Sequence, residues 1–235
     1  MSFKGSFLFE KRKENNMRIE NVNKENYVNT FPNNEYGKKF TYLNEVDYAY
    51  KSDNIFPITK ELVKEVLKDI SIDLTKLDVP MFLIPDQLMM FDKRINNYDG
   101  TTYQGRAYFS HIIYGGRTIR PTKENIGCLV IHEIGHILMY KAFNCTWDTC
   151  DKALREYKKL REIPDKWTNK KNGNWYTRPA EVFAEDFRFL FGSDYMLVDP
   201  YDEESDFKRM YYKIGEPKQE IKDYMIKLLE SLKSE

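Results

Sequence analysis

Cys128-Leu129-Val130-Ile131-His132-Glu133-Ile134-Gly135-His136-Ile137-Leu138-Met139 is the stretch on which the reading of this chain turns. Residues four apart on an α-helix stand nearly one above the other, so His132 and His136 present two imidazoles on one face. Glu133 lies about a hundred degrees round the same turn. Ile126, Leu129, Val130, Ile131, Ile134, Ile137, Leu138 and Met139 leave no polar stripe apart from the motif, which predicts a deeply buried helix. Thr122 has the chemistry of an N-cap and Asn144 that of a stop, giving a helix of about twenty residues with the motif near its middle.

Two imidazoles at this spacing suit Zn²⁺, which takes tetrahedral N, O and S ligands and in catalytic sites keeps one position for water or substrate. Glu133, beside the metal without ligating it, is placed to take a proton from attacking water and pass it to a leaving amine. Two of the chain's three histidines lie in this motif. The third, His111, has no rigidly spaced partner and reads as a satisfied core or cleft histidine.

A catalytic zinc needs a third protein ligand. The extended motif that adds a glycine and a third histidine after the second one fails here, because those positions hold Met139 and Ala142, so a carboxylate is expected. Glu156 stands where thermolysin-like enzymes place theirs. It lies in Arg155-Glu156-Tyr157-Lys158-Lys159, without the flanking Asn and Asp of those enzymes, and reads as a solvated helix charge.

At 235 residues the chain can bury a full core as one domain, or one domain with a small lobe. Its 37 basic and 37 acidic residues cancel, which argues against a polyanion partner and excludes nucleic acid from the expected ligands. Aromatics at 15% argue for a folded chain despite the many Lys and Asn. Met1 to Arg18 has no apolar run of signal-peptide length and no stretch reads as a membrane span, so the expectation is a protein that is cytoplasmic as synthesised, with non-classical release open. Cys128, Cys145 and Cys150 are odd in number and lack C-x-x-C spacing, which reads as reduced thiols.

In chain order, residues 1–30 read as a flexible polar arm and residues 31–235 as one catalytic domain. Phe31 to Tyr50 reads as irregular aromatic-rich chain packed on the core. Leu62, Val63, Val66, Leu67 and Ile70 form a helical stripe behind Thr59 as N-cap. Val79 to Pro85 reads as a buried strand. Tyr103 to Tyr114 reads as one strand ending at Gly115-Gly116, with Arg106, Tyr108, Ser110 and Ile112 on one face. As a sheet edge it would pair with an extended peptide, making Tyr108, Ser110 and Ile112 candidate substrate-binding residues; an internal strand is the alternative.

Thr146 to Ile163 reads as a charged helix with Leu154, Tyr157 and Leu160 inward, and Pro164 to Asn174 as a polar connector. Pro179 opens a helix with Phe183, Phe187, Leu190 and Phe191 on its apolar side and Glu181, Glu185 and Arg188 opposite. Glu216 to Leu232 reads as a closing amphipathic helix, with Ile221, Met225, Leu228 and Leu229 inward.

Ala180-Glu181-Val182-Phe183-Ala184-Glu185-Asp186-Phe187-Arg188, taken with the metal helix and the separation between the two, resembles the second metal-binding helix of the anthrax lethal factor-like metallopeptidases. These are a gluzincin group that includes the Pro-Pro endopeptidases. The resemblance spans roughly Tyr103 to Phe191. It implies His132, His136 and Glu181 as the ligands of one Zn²⁺ per chain and Glu133 as general base. It also implies Glu185 as the carboxylate that fixes a ligand imidazole, and a tyrosine whose hydroxyl stabilises the oxyanion. Tyr176 is the candidate for that tyrosine, although it stands closer to Glu181 than the family places its own. Arg178 would sit near the cleft.

These readings together lead us to expect an α+β, zincin-like metallopeptidase domain with a small mixed sheet beside the metal helix and a mostly helical C-terminal half. Its expected activity is hydrolysis of a peptide or protein substrate by metal-activated water. The alternatives are a zinc hydrolase or amidase acting on a non-protein substrate, or a catalytically silent metal-binding regulatory protein, against which the intact Glu133 argues.

Overall fold

The computed structural model describes residues 17–21, 55–85, 88–92, 97–103, 105–147, 149–169, 174–198, 210–211 and 213–232. They build a mixed α+β architecture with a small mixed sheet and a largely helical C-terminal half. Strand β1 (Ile19–Asn21) pairs in parallel with β2 (Met81–Leu83), and β2 pairs in parallel with β6 (His111–Tyr114). On the far side β5 (Gly105–Tyr108) closes the sheet antiparallel to β6, and a separate two-stranded ribbon joins β3 (Leu88–Asp92) to β4 (Asn97–Tyr103).

Local chemistry accounts for most of the helices. Helix α1 (Lys60–Lys68) starts where the Thr59 hydroxyl accepts the Leu62 N–H at 3.3 Å, and it turns Val63, Val66 and Leu67 into the core. Helix α2 (Lys123–Phe143) carries the histidine motif. Thr122 and Asn125 form a reciprocal capping box at its start, and Asn144 ends it in the left-handed region at φ 47°. That conformation is open to Asn at low cost and lets its N–H close the last turn. Helix α5 (Pro179–Phe191) opens on proline, where the missing N–H costs nothing. Between α2 and α5 lie two short helices, α3 (Cys150–Ala153) and α4 (Arg155–Leu160), and the chain closes with α6 (Gln219–Ser231).

Four expectations need correction. The first is the single strand from Tyr103 to Tyr114, which is a hairpin that turns at Phe109-Ser110 and sets Tyr108 opposite His111 and Ala107 opposite Ile112. The turn carries neither Gly nor Asn, and the two-residue alternation runs through it unbroken, so nothing local marks it. Second, the flexible arm does not extend through residues 17–21, because β1 joins the sheet and buries Met17 and Ile19. Three residues are too few to show a strand period. The rest of the arm and Phe31 to Tyr50 fall outside the described residues.

Third, the helix expected from Thr146 to Ile163 is the pair α3 and α4. Leu154 and Tyr157 are buried, but Leu160 is 39% exposed because the break at Leu154 rotates the second helix. Fourth, α2 does meet the length and composition of a membrane span. In this fold it is the central core helix, packed among the sheet, α1 and α5.

Two buried polar arrangements brace the helical half. Asp186 accepts hydrogen bonds from Arg161 Nε at 2.6 Å, Tyr157 at 2.7 Å and Tyr211 at 3.1 Å, while the same guanidinium donates to the Ile214 and Gly215 carbonyls. This ties α4, α5 and the tail together. Asn169 donates to the Asp151 carboxylate and accepts the Ala180 N–H at 2.9 Å, supplying from a distance the N-terminal cap that Arg178 does not provide.

Candidate metal centre

The two motif histidines lie one turn apart on α2, and their Nε2 atoms stand 3.1 Å from each other. Helix α5 crosses α2 so that Glu181 Oε2 lies 3.2 Å from His132 Nε2 and 3.4 Å from His136 Nε2. These three edges can be compared with a tetrahedral zinc site, where bonds of about 2.0–2.2 Å place neighbouring ligand atoms about 3.4 Å apart. The three side chains could hold a metal ion. All three are largely withdrawn from solvent, so each needs a partner inside the cluster, which a proton or a cation can supply.

The far side of His132 is held as well. Its Nδ1–H donates to Glu185 Oε1 at 2.7 Å, which directs the Nε2 lone pair at the cluster. Glu185 Oε2 in turn lies 2.7 Å from Arg188 Nη2, and both partners are buried. His136 is oriented differently, by packing. Its ring lies parallel to Tyr140 at 6.1 Å and edge-on to Trp147 at 6.1 Å. The Arg178 guanidinium covers the same Trp147 ring at 5.9 Å.

Burial disfavours the charged forms of Glu181 and His132, but their partners outweigh it. Desolvation acts to raise the Glu181 carboxyl, yet the neighbouring His136 and His132 hold it down to about 2. Desolvation acts to lower His132, and hydrogen bonds to Glu181 and Glu185 push it up to about 10 in the metal-free chain. Without a metal, His132 is therefore an imidazolium that donates to both carboxylates. A proton on Nε2 and a metal ion compete for the same lone pair.

Glu133 is buried on α2 near β5, where the Ala107 backbone favours its charged form. Burial raises its pKa, only partly offset by the two histidines. Tyr114 on β6 also donates to the Val130 carbonyl at 3.2 Å, which clamps the sheet to the metal helix two residues before the motif.

The other sequence candidates have their own surroundings. Tyr176 lies in the 3₁₀ turn Trp175–Thr177, where its hydroxyl accepts from Asn174 at 2.9 Å and its ring lies 4.8 Å from Lys213 Nζ. Tyr108, Ser110 and Ile112 do not form one exposed face. Ile112 is fully buried on the inner strand, Tyr108 stacks on His111 at 4.8 Å, and Ser110 sits exposed on the turn. Ser110 Oγ also lies 2.9 Å from His111 Nδ1.

His111 belongs to the core, and its burial lowers its pKa to about 3. Glu156 is exposed on α4. The three cysteines are free thiols, all buried. Sequence reasoning missed Ala107, Trp147 and Asn169, none of which has a residue type that signals the role. No family model matches this chain, and no curated protein matches it at a significant level.

Proposed function

We propose that this chain is a zinc-dependent endopeptidase of the gluzincin type, with a zincin-like fold related to the lethal factor-like metallopeptidases. The observation that carries the reading is the convergence of His132 Nε2, His136 Nε2 and Glu181 Oε2 within 3.1–3.4 Å, with Glu133 buried beside them and not among them. A purely structural metal site has no use for a buried carboxylate that neither ligates the ion nor orients a ligand. A hydrolytic one needs a base there.

His132, His136 and Glu181 would hold the ion. When bound, zinc supplies Lewis acidity, which lowers the pKa of water toward neutrality and polarises a carbonyl. Glu133 accepts the proton of the attacking water on its carboxylate and delivers it to the leaving nitrogen. Its raised pKa suits that exchange, because a carboxyl closer to neutrality both takes and returns a proton readily. Glu185 keeps the His132 proton on Nδ1, so that Nε2 remains a ligand.

The edge strand supports a peptide as substrate. The Ala107 backbone favours the charged form of Glu133, so β5, the last strand of the sheet among the described residues, runs alongside the base. An extended chain adding to that edge would bring its own backbone carbonyl to the same place.

Zinc content and cleavage of a mixed peptide library, measured for the wild-type chain, Glu133→Ala and Glu181→Ala, test this. One zinc per chain is expected, with cleavage lost in both variants and metal retention weakened only by Glu181→Ala. Undiminished zinc binding by Glu181→Ala would remove that ligand. Zinc without cleavage of any peptide would remove the endopeptidase reading.

A further inference from the structure

Helix α5 presents two carboxylates to the cluster, and only one of them is a ligand candidate. Glu185 spends both oxygens elsewhere: Oε1 takes the His132 Nδ1–H at 2.7 Å, and Oε2 lies 2.7 Å from Arg188 Nη2. Arg188 stands one turn further along α5 and is 4% exposed. Its other terminal nitrogen, Nη1, reaches the Met196 carbonyl at 3.4 Å, in the 3₁₀ turn Asp194–Leu197 that follows the helix. Burying a guanidinium is costly unless charge and hydrogen bonds compensate it, so its position beside Glu185 calls for a use. A planar fork anchored at two points holds a carboxylate in one plane better than a single flexible ammonium does.

We propose that Arg188 is a positioning residue for the metal group. It fixes the plane of the Glu185 carboxylate, which fixes the rotation and tautomer of the His132 imidazole and aims Nε2 at the ion. Arg188 touches neither metal nor substrate and acts through Glu185 alone. The asymmetry of the site follows from this: His132 is aimed by a two-residue polar relay, whereas His136 is aimed by the Tyr140 ring stacked on it and the Trp147 ring edge-on to it. The proposal rests on the reading of His132, His136 and Glu181 as metal ligands.

The test is Zn²⁺ affinity by competition with a chromophoric chelator, on the full chain, for wild type, Arg188→Ala, Glu185→Ala and the double variant. Arg188→Ala and Glu185→Ala should each weaken zinc about 10- to 100-fold, the usual cost of losing an outer partner of a ligand histidine. The double variant should be no weaker than Glu185→Ala alone, because Arg188 has no other route to the metal. Arg188→Lys keeps the charge and should restore part of the affinity. In the zinc form, the His132 Nδ1–H proton resonance should be sharp in wild type and broadened in Arg188→Ala.

Should the alanine variant fail to fold, Arg188→Met keeps the packing volume and is read in the same way. Affinity within about threefold of wild type in a folded Arg188 variant overturns the proposal, being well short of the loss expected of an outer partner. A double variant that loses much more than Glu185→Ala does so too, since Arg188 would then act on the fold at large. A wild-type chain that takes up no zinc overturns both this proposal and the reading beneath it, whereas normal wild-type uptake beside an unaffected Arg188 variant overturns this one only.

Discussion

Gly135 and Ala184 meet at the crossing of α2 and α5 so closely that a Cβ on Gly135 would stand 2.8 Å from the Ala184 Cα and 3.1 Å from its carbonyl oxygen. The neighbours are backbone, which cannot swing aside. Glycine in the middle of a helix forfeits about 1 kcal/mol of propensity relative to alanine, and here that loss lets the two helices approach. The approach is what brings Glu181 and Glu185 to the histidines on either side of Gly135.

Gly135→Ala should therefore destabilise the chain despite its better propensity, because overpacking against backbone costs about 1–3 kcal/mol against about 1 kcal/mol recovered. Chemical denaturation measures that net loss. Metal affinity should fall further than stability does, since spreading the helices moves Glu181 away from both imidazoles.

The His132–Glu181 pair should contribute most to the stability of the metal-free chain in a mildly acidic window. His132, raised from 6.5 to about 10, contributes stability that is complete below pH 6.5 and is lost as pH climbs through about 10. Glu181, depressed from 4.5 to about 2, contributes stability that is complete above pH 4.5 and is lost as pH falls through about 2. The two overlap fully between pH 4.5 and 6.5. The difference in melting temperature between the chelator-treated wild type and Glu181→Gln should plateau there and shrink on both sides.

Zinc binding at pH 8 should release a proton. His132 holds its extra proton up to about pH 10 in the metal-free chain and must give up the one on Nε2 to become a ligand. Calorimetry in buffers of different ionisation enthalpy should report about one proton per ion, and affinity should rise with pH across the range from 6.5 to about 10.

Glu133→Gln should keep its zinc and lose cleavage by about 10²- to 10⁴-fold, the span expected for removing a general base. The amide preserves size and hydrogen-bonding capacity but cannot take a proton. A variant that cleaves at the wild-type rate would strip Glu133 of that role.

Asp186→Ala should be among the most destabilising single changes, at about 3–5 kcal/mol, because it leaves the buried Arg161 guanidinium without its carboxylate. Two tyrosine hydroxyls lose an acceptor with it. Denaturation curves should show the loss.

The sequence alone determined whatever depends on neighbours within a few residues. The 3.6-residue repeat stacks His132 over His136 wherever that segment is helical, and Thr122, Asn144, Thr59 and Pro179 set helix ends through their own side-chain chemistry. The uniform apolar character of α2 announced its burial, and α+β architecture followed from one helical and one extended period in the same chain.

Tertiary structure decided the rest, because the rest is made by partners far apart in sequence. Helical period sets Glu181, Glu185 and Arg188 on one face, and on period alone that face reads as solvated. It is buried because Gly135 admits α5 against α2. The turn at Phe109-Ser110 has no local signal and exists because both arms find partners, β6 with β2 on one side and β5 with Glu133 on the other. Strand β1 is invisible in three residues and is held by a strand some sixty positions away. Helical spacing is local and legible from the residues themselves, whereas pairing and close approach are settled only when the whole core closes.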